Sequence, residues 1–349
     1  MPGMSDPTMQ SLLGSVERVD GLPGLPADLS WSPDGTRLAA GLGDGPVVII
    51  AAGGSPDAIS VLAGHDGGTT SVAWRPRDAD LVASGGLDGA IRVWSASGAH
   101  AARVQEVSPI DWVQRVAWRG DGALLAGIAG RALVVLDDDG ITRRFDDHES
   151  TLTDLAWHPR GRAIAVSHYG GLTSWSPRHA DGTPRRFRWK GSSLRLAWSP
   201  DGRHVATGDQ DSTVHFWIMK NGKDLQMWGY PRKVQELSWD SLGRHLATGG
   251  GPEVIVWDCS GAGPAGTEPL VLDVDGTPLV AVAFAPAGRA MAAVTDGGTL
   301  AVWDMRAPIS AGGQVELPAA ATALAWSPDG RRVAVGDAGG GVSVAGIAA

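Results

Sequence analysis

The side chains best suited to metal chemistry in this chain are histidines that cluster in its central region. The cluster consists of His158, His168, His204, His215 and His245. Neutral imidazole is a common zinc ligand. His204 and His245, however, each follow an arginine at the same place in successive sequence repeats, which indicates repetition and not a ligand cage. We therefore expect no bound metal and keep His168 as the one candidate ligand.

Motifs for catalysis are absent from the sequence. It contains no G-x-S-x-G, no phosphate-binding P-loop and no H-E-x-x-H. Cys259 is the only cysteine, so one chain can form neither a disulfide nor a cysteine-based zinc site. Residues 137–140 and 273–276 faintly resemble calcium loops but lack the distal glutamate, and we predict turns there. The sequence thus predicts a protein that is not an enzyme and has no cofactor.

A second group of candidate residues combines aromatic rings with basic side chains. Three of the 15 tryptophans fall outside the regular positions of the repeat, and tyrosine, histidine and basic residues lie beside them. Aromatic residues and arginine dominate the energetics of protein interfaces. The alternative is that each ring packs against a neighbouring strand. We predict a contact surface for a partner protein formed by Trp112, His168, Tyr169, Trp189, Lys190, Trp228, Tyr230 and Arg232.

The elements that must position these residues come from an eightfold repeat. A short apolar phrase ending in an aromatic residue recurs every 39 to 45 residues, at Trp31, Trp74, Trp118, Trp157, Trp198, Trp239, Phe284 and Trp326. Short apolar runs separated by glycine and proline follow each copy, which is typical of strands and turns. Four strands in a period of about 40 residues indicate one blade of a propeller.

The sequence predicts an all-β fold, a single eight-bladed β-propeller of four-stranded antiparallel blades. The eighth repeat stops before its outer strand, and residues 15–20 form an extra apolar-polar run before the first repeat. We expect this N-terminal strand to complete the last blade and close the ring. Residues 1–14 are expected to be a flexible N-terminus, and residues 15–349 the propeller.

Charges at one repeat position are expected to lie near the central channel. Three residues before the first-strand aromatic, consecutive repeats carry Arg115, Asp154, Arg195 and Glu236. The alternating signs predict ion pairs between neighbouring repeats, and each exposed pair would contribute only about 0–1 kcal/mol.

Composition excludes several classes of function. The net charge is −9 and lysine occurs only four times, so a nucleic-acid backbone binder is not expected. No stretch approaches the roughly 18 apolar residues of a membrane helix, and no basic start precedes an apolar run as in a signal peptide. We expect a cytoplasmic protein that acts alone or as a subunit of a complex.

Several dipeptides give the chain a family resemblance. Gly64-His65 opens one repeat, and Trp257-Asp258 and Trp303-Asp304 close two others. These resemble WD40 repeats from about residue 15 onward. The resemblance implies a buried hydrogen-bonded tetrad of His65, Ser84, Asp88 and Trp94. A second, partial set is Thr207, Asp211 and Trp217, with Trp189 where the histidine would stand.

A further resemblance is local and suggests two alternatives to a simple scaffold. The segments at residues 167–171, 189–192 and 229–231 are similar to a bacterial WD40 subgroup often encoded beside CobW-type GTPases. That resemblance implies an accessory role in zinc handling through partnership. The second alternative is a cofactor-binding propeller enzyme, although the tryptophan-docking pattern of quinone-dependent propellers is not found.

Overall fold

The computed structural model describes residues 12–53, 59–98, 100–177, 183–261, 263–306 and 312–348. This part of the chain consists of β-strands joined by turns and loops, without an α-helix. The strands of the first three repeats and of the closing segment are β1 Leu13–Val19, β2 Pro26–Trp31, β3 Arg37–Leu42, β4 Val47–Ala51, β5 Ile59–Leu62, β6 Thr69–Trp74, β7 Leu81–Gly86, β8 Ala90–Ser95, β9 Ala101–Glu106, β10 Val113–Trp118, β11 Leu125–Ala129, β12 Ala132–Asp137 and β13 Gly140–Phe145.

The remaining repeats follow the same order. Their strands are β14 Leu152–Trp157, β15 Ile164–Trp175, β16 Arg185–Trp198, β17 His204–Asp209, β18 Val214–Ile218, β19 Lys223–Met227, β20 Leu237–Trp239, β21 His245–Thr248, β22 Val254–Asp258, β23 Leu270–Leu272, β24 Leu279–Phe284, β25 Ala290–Thr295, β26 Thr299–Asp304, β27 Gly313–Glu316, β28 Ala321–Trp326, β29 Arg332–Asp337 and β30 Val342–Ile347.

The strands assemble into seven antiparallel sheets, so the prediction of eight blades is wrong. Six sheets have four strands, as predicted, and one has six in the order β14-β15-β16-β17-β18-β19. The fourth and fifth repeats share this sheet because β15 and β16 continue through positions where the other repeats have loops. Gly170 and Gly171, at φ +101° and +111°, let β15 bend without ending. A bridge between Tyr169 and Ser192 joins the two strands beyond that bend.

The N-terminal strand closes the ring, as the sequence predicts. β1 pairs antiparallel with β30 in the sheet β1-β30-β29-β28, from Leu13 opposite Ile347 to Val19 opposite Val342. Arg18 of β1 pairs with the fully buried Asp337 of β29. The predicted flexible segment is partly corrected, since residues 13 and 14 belong to β1. Residues 1–11 lie outside the described residues.

Tryptophans of the first strands connect six of the eight repeats to the one before, whereas Trp74 Nε1 has no hydrogen-bond partner among the described residues and Phe284 has no side-chain N–H. The indole N–H of Trp118 donates to the carbonyl of Ala73, and that of Trp157 donates to the carbonyl of Ala117. Trp31 donates across the closure to Ala325. The same bond recurs at Trp198, Trp239 and Trp326. Each such bond satisfies a buried polar group and fixes one repeat against the next.

Successive connections alternate between the two faces of the molecule, because neighbouring strands are antiparallel. Connections from a fourth strand to the next first strand, and from second to third strands, form what we call the loop face. The opposite side, made by the first-to-second and third-to-fourth connections, is the hairpin face. First strands surround a central cavity of about 670 Å³ that reaches the loop face at Gly43, Gly68 and Leu87. A second cavity of about 520 Å³ reaches the hairpin face.

Candidate partner-binding surface

The four residues of the expected tetrad lie together in the second repeat. Trp94 Nε1 donates to Ser84 Oγ at 2.8 Å, and Ser84 Oγ lies 2.7 Å from His65 Nε2. His65 Nδ1 lies 2.8 Å from the Asp88 carboxylate, which also contacts Arg92. Burial lowers the pKa of His65, so the ring is neutral at pH 7. The chain of bonds holds the loop before β6 against β7 and β8.

A ring occupies the position of His65 in three later repeats as well. His148, Trp189 and Tyr230 each stand nine residues before the first-strand aromatic, as His65 does. His148 is 2% exposed and accepts directly from Trp175 Nε1 at 2.8 Å. Burial lowers the pKa of His148 to about 4. The sequence rule that locates a tetrad histidine therefore also locates its aromatic substitutes.

Tyr230 is one of these substitutes, which corrects its place in the predicted contact surface. Its side chain is buried, and its hydroxyl lies 2.9 Å from Thr248 Oγ1 and accepts from Trp257 Nε1 at 2.8 Å. Tyr230 thus performs in the sixth repeat the task of the histidine in the second. Because it is enclosed between strands, it is not available to a partner. The spacing to Trp239 is the signal that places it there.

Trp189 is half-buried, so its exposure is intermediate between that of a core residue and that of a surface residue. It packs on His215 with ring centroids 4.1 Å apart, while the adjacent Lys190 is exposed. The partial tetrad expected here is reduced to one bond, from Trp217 Nε1 to Thr207 Oγ1 at 3.1 Å. Asp211 does not join it and instead accepts from Thr213. Trp189 therefore stabilises the fifth repeat and offers only part of its ring to a partner.

His168 is buried and both of its ring nitrogens are engaged. Nδ1 lies 2.7 Å from the Tyr169 carbonyl and Nε2 lies 2.8 Å from Thr173 Oγ1. Burial lowers its pKa. The placement on a binding surface is corrected, because the side chain turns back into the strand pair. Nowhere in the described ranges do three or more histidine, cysteine, aspartate or glutamate side chains gather in a metal-binding arrangement.

The remaining members of the predicted surface are exposed on the loop face. Trp112 is 52% exposed before β10, Tyr169 is 61% exposed in β15, and Trp228 is 79% exposed after β19. Arg232 is exposed in the same connection as Trp228. Trp112, Tyr169 and Trp228 belong to the third, fourth and sixth repeats. Large rings held in solvent on rigid connections are what a binding surface needs.

The charged position of the first strands lines the central cavity, as predicted from its spacing. Asp154 lies 3.5 Å from a guanidinium nitrogen of Arg115 and 3.9 Å from one of Arg195. A β-bulge precedes this position in β10, β14 and β16, and bulges re-aim side chains. The expected partner of Arg195 does not pair with it, since Glu236 accepts from the backbone of Gly250. Burial raises the pKa of Glu236.

The Asp154 carboxylate also ties two repeats together. Its Oδ2 accepts from the backbone N–H of Leu196 at 3.0 Å, and Asp28 accepts from Val72 in the same way at 2.9 Å. The charged position is therefore structural as well as cavity-lining, which agrees with the interpretation made from sequence.

Comparison with known proteins agrees with this geometry. The family described as "WD domain, G-beta repeat" matches residues 57–95 and 188–217. The first match contains the complete tetrad, and the second contains Trp189 and the Thr207–Trp217 pair. The chain carries WD40 repeats. The prediction of that family and of a β-propeller is confirmed.

Curated relatives match parts of this WD40 chain. Protein HIR1 of Kluyveromyces lactis is 26% identical over 225 residues, covering 50% of this chain and 26% of HIR1. WD repeat-containing protein slp1 of Schizosaccharomyces pombe is 26% identical over 259 residues, covering 57% of this chain and 51% of slp1. Protein transport protein SEC31 of Eremothecium gossypii is 26% identical over 231 residues, covering 59% and 18%.

The matched region spans at most about half the length of these relatives. All three are eukaryotic, so the expectation of a bacterial subgroup receives no support from them. Within the part of the chain that the structure describes, no helix is long and apolar enough to cross a membrane.

Proposed function

We propose that this WD40 propeller is a non-catalytic interaction scaffold that captures a partner protein on its loop face. The observation that carries the proposal is the exposure of Trp112, Tyr169 and Trp228 on connections of that face. Aromatic rings bury a large area on binding and lose little conformational freedom. The fourth and sixth repeats are held by tetrad-like bonds, and all three repeats that carry these rings are tied to the preceding repeat by tryptophan–carbonyl bonds, so the surface is preformed.

The proposal is tested by removing the rings without touching the core. The variant Trp112→Ser/Tyr169→Ser/Trp228→Ser is compared with Leu242→Ser, which changes an exposed apolar residue in a hairpin-face turn. Immobilised protein is incubated with a lysate of the source cells, and retained proteins are quantified by mass spectrometry. Proteins retained by the wild type should be lost from the triple variant and kept by the Leu242 variant. Equal retention by all three would refute the proposal.

Zinc handling with a CobW-type GTPase stays a prediction. The residues that carry the resemblance include His168 and Tyr169, and of these only Tyr169 is exposed. Since the His168 nitrogens are engaged within the fold, such a role would act through a partner protein and not through ligation by this residue. Zinc titration of the wild type and of His168→Ala checks this, and no difference between them is expected.

The cofactor-binding enzyme also stays a prediction, with a simple measurement attached. A visible absorption band, or calcium retained by the purified protein, would favour it over the scaffold. The contacts described on the loop face need neither a chromophore nor calcium.

A further inference from the structure

We infer that the loop face of the first three repeats binds a cationic segment of a partner protein anchored by apolar side chains. The surface, which we call the acidic arc, has the apolar members Leu25, Leu87, Ile110 and Trp112. Its acidic members are Asp44, Asp66 and Asp111. The inference rests on the proposed function only in taking the loop face as the side that meets a partner.

The apolar side chains of the arc are large and strongly exposed to solvent. Ile110 is 88% exposed, Trp112 is 52% exposed, and Leu25 and Leu87 are each about half exposed. All four lie in connections on one side of the disc, before β2, between β7 and β8, and before β10. Scattered exposed apolar residues are ordinary, whereas a continuous group marks an interaction site.

Backbone contacts make the arc continuous from the first repeat to the third. Gly43 N donates to the carbonyl of Leu25 at 2.9 Å, and Leu87 N donates to the carbonyl of Gly68 at 2.9 Å. A Cβ on Gly68 would lie 2.4 Å from the Gly43 carbonyl oxygen, so these two connections touch. A Cβ on Gly89 would lie 2.0 Å from the carbonyl oxygen of Ser108, next to Ile110.

The acidic members of the arc have no basic partner within the described ranges. Asp44 accepts only from the Leu25 backbone N–H, and Asp111 only from Ser108 Oγ, while Asp66 makes no side-chain bond there. Several acids elsewhere are paired with arginines. Asp138 on the hairpin face pairs with two arginines, and Asp147 in the fourth repeat pairs with Arg186.

Acidic residues also outnumber basic residues over the connections of the whole loop face. Their acidic residues are Asp20, Asp44, Asp66, Asp88, Asp111, Asp146, Asp147, Glu149, Asp211, Glu236, Glu253, Asp273, Asp275 and Asp296, against the basic residues Arg131, Arg232 and Lys233 and the exposed Lys190 at the equivalent position of β16. On the hairpin face, acidic and basic residues occur in nearly equal numbers among the described connections. Among the described connections, the excess of acidic residues therefore lies on the side that carries the arc.

Charge complementarity selects the occupant. Uncompensated carboxylates beside apolar side chains favour a segment in which lysine or arginine alternates with leucine or an aromatic residue, since both kinds of contact are then satisfied. A nucleic acid would be repelled by the same carboxylates. A protein segment of positive charge is the partner class that fits the arc.

The test uses the whole protein and synthetic 12-residue peptides labelled with fluorescein. One set alternates lysine or arginine with leucine or tryptophan, a second replaces the basic residues with aspartate or glutamate, and a third replaces them with serine. Binding is measured by fluorescence anisotropy at about 50 mM and about 300 mM NaCl. The variant Asp44→Asn/Asp66→Asn/Asp111→Asn is compared with Asp78→Asn/Asp80→Asn/Asp139→Asn, which makes the same change in net charge on the hairpin face.

The basic set alone should bind, and added salt should weaken it. The arc variant should weaken binding about tenfold at the lower salt concentration, and the hairpin-face variant should leave it nearly unchanged. Equal binding of the acidic or serine sets would overturn the inference, as would equal losses in both variants. If no peptide binds while the loop-face tryptophans are still required for partner capture, this inference fails and the proposed function stands.

Discussion

One position of the repeat keeps the same structural role although its residue type changes from repeat to repeat. The position nine residues before each first-strand aromatic holds His65, His148, Trp189 or Tyr230 in four repeats. In the second, fourth and sixth repeats the ring gives the indole N–H of the third-strand tryptophan an acceptor, either directly or through a hydroxyl. Buried N–H groups require such partners, so the requirement persists although histidine does not.

The tetrad of the second repeat was predictable, because every member matched by type and spacing. The burial of Tyr230 and His168 was not assigned correctly, because each was judged by its residue type and not by its repeat position. Tyr230 lies at the spacing of His65, and His168 lies at the end of a second strand, where the chain packs inward. Position within the repeat is thus the better guide to burial here.

The end of the second strand also provides a sharp test of buried charge. Asp209 ends β17 and is fully buried, and neither carboxyl oxygen has a hydrogen-bond partner in the described part of the chain, although His215 Nε2 lies 3.9 Å from its Oδ2. Burial raises its pKa to about 8. Between the unfolded value of 3.8 and 8 the native state holds a proton that the unfolded state lacks, so stability falls as pH rises through that range.

The variant Asp209→Asn, which resembles the protonated acid, should escape that loss. At about pH 9 it should exceed the wild type in free energy of unfolding by on the order of 1–3 kcal/mol, with a smaller difference at about pH 5. Urea unfolding at the two pH values measures this. The matched control is Asp337→Asn at the same place in β29, where Arg18 pairs with the carboxylate, and that variant should be less stable than the wild type. Equal effects at both positions would contradict the argument.

At the scale of elements, the strands were easier to predict than their grouping. The spacing of apolar runs and turn residues was enough to locate the first strands. The N-terminal strand was predicted because the eighth repeat lacks an outer strand. The fused sheet was missed because a glycine pair such as Gly170-Gly171 is ordinarily typical of a turn between strands. In the structure β15 bends at these glycines without ending, and β15 and β16 then hold two repeats in one sheet. The number of sheets therefore need not equal the number of sequence repeats.

The closing strand β1 should contribute more to the free energy of unfolding than its length suggests. Deletion of residues 1–20 removes β1, exposes the edge of β30, and leaves the buried Asp337 without Arg18. Leaving a buried charge unpaired costs about 3–5 kcal/mol, so a loss of at least this size is expected in chemical denaturation. Deletion of residues 1–11 spares β1 and is the control, with little change expected. Similar losses from both deletions would show that β1 is not the stabilising element.

At the scale of the molecule, one kind of contact is repeated around the ring. In six of the eight repeats the first-strand tryptophan donates to the preceding repeat, and Trp31 makes this bond to Ala325 across the closure. The first strands all border the central cavity. Because most repeats meet the preceding one through this bond, the place where the chain begins and ends should matter little to the folded ring. The all-β propeller was predictable for this reason although the number of blades was not, while the partner depends on loop residues that do not repeat.

A circular permutant tests that equivalence. The chain would begin at residue 59 with β5, run to residue 348, cross a short glycine-serine linker, and finish with residues 12–53. The linker joins neighbouring ends, because Ala348 N donates to the carbonyl of Leu12 at 2.8 Å. β5 would then close the first sheet from the N-terminus, as β1 closes the last sheet in the parent. We expect one unfolding transition with a Tm within about 5 °C of the parent. A chain of residues 59–348 alone lacks β1 to β4 and should not form the ring. Two separate transitions in the permutant, against one in the parent, would mean that closure through β1 and β30 is special and that the repeats are not equivalent.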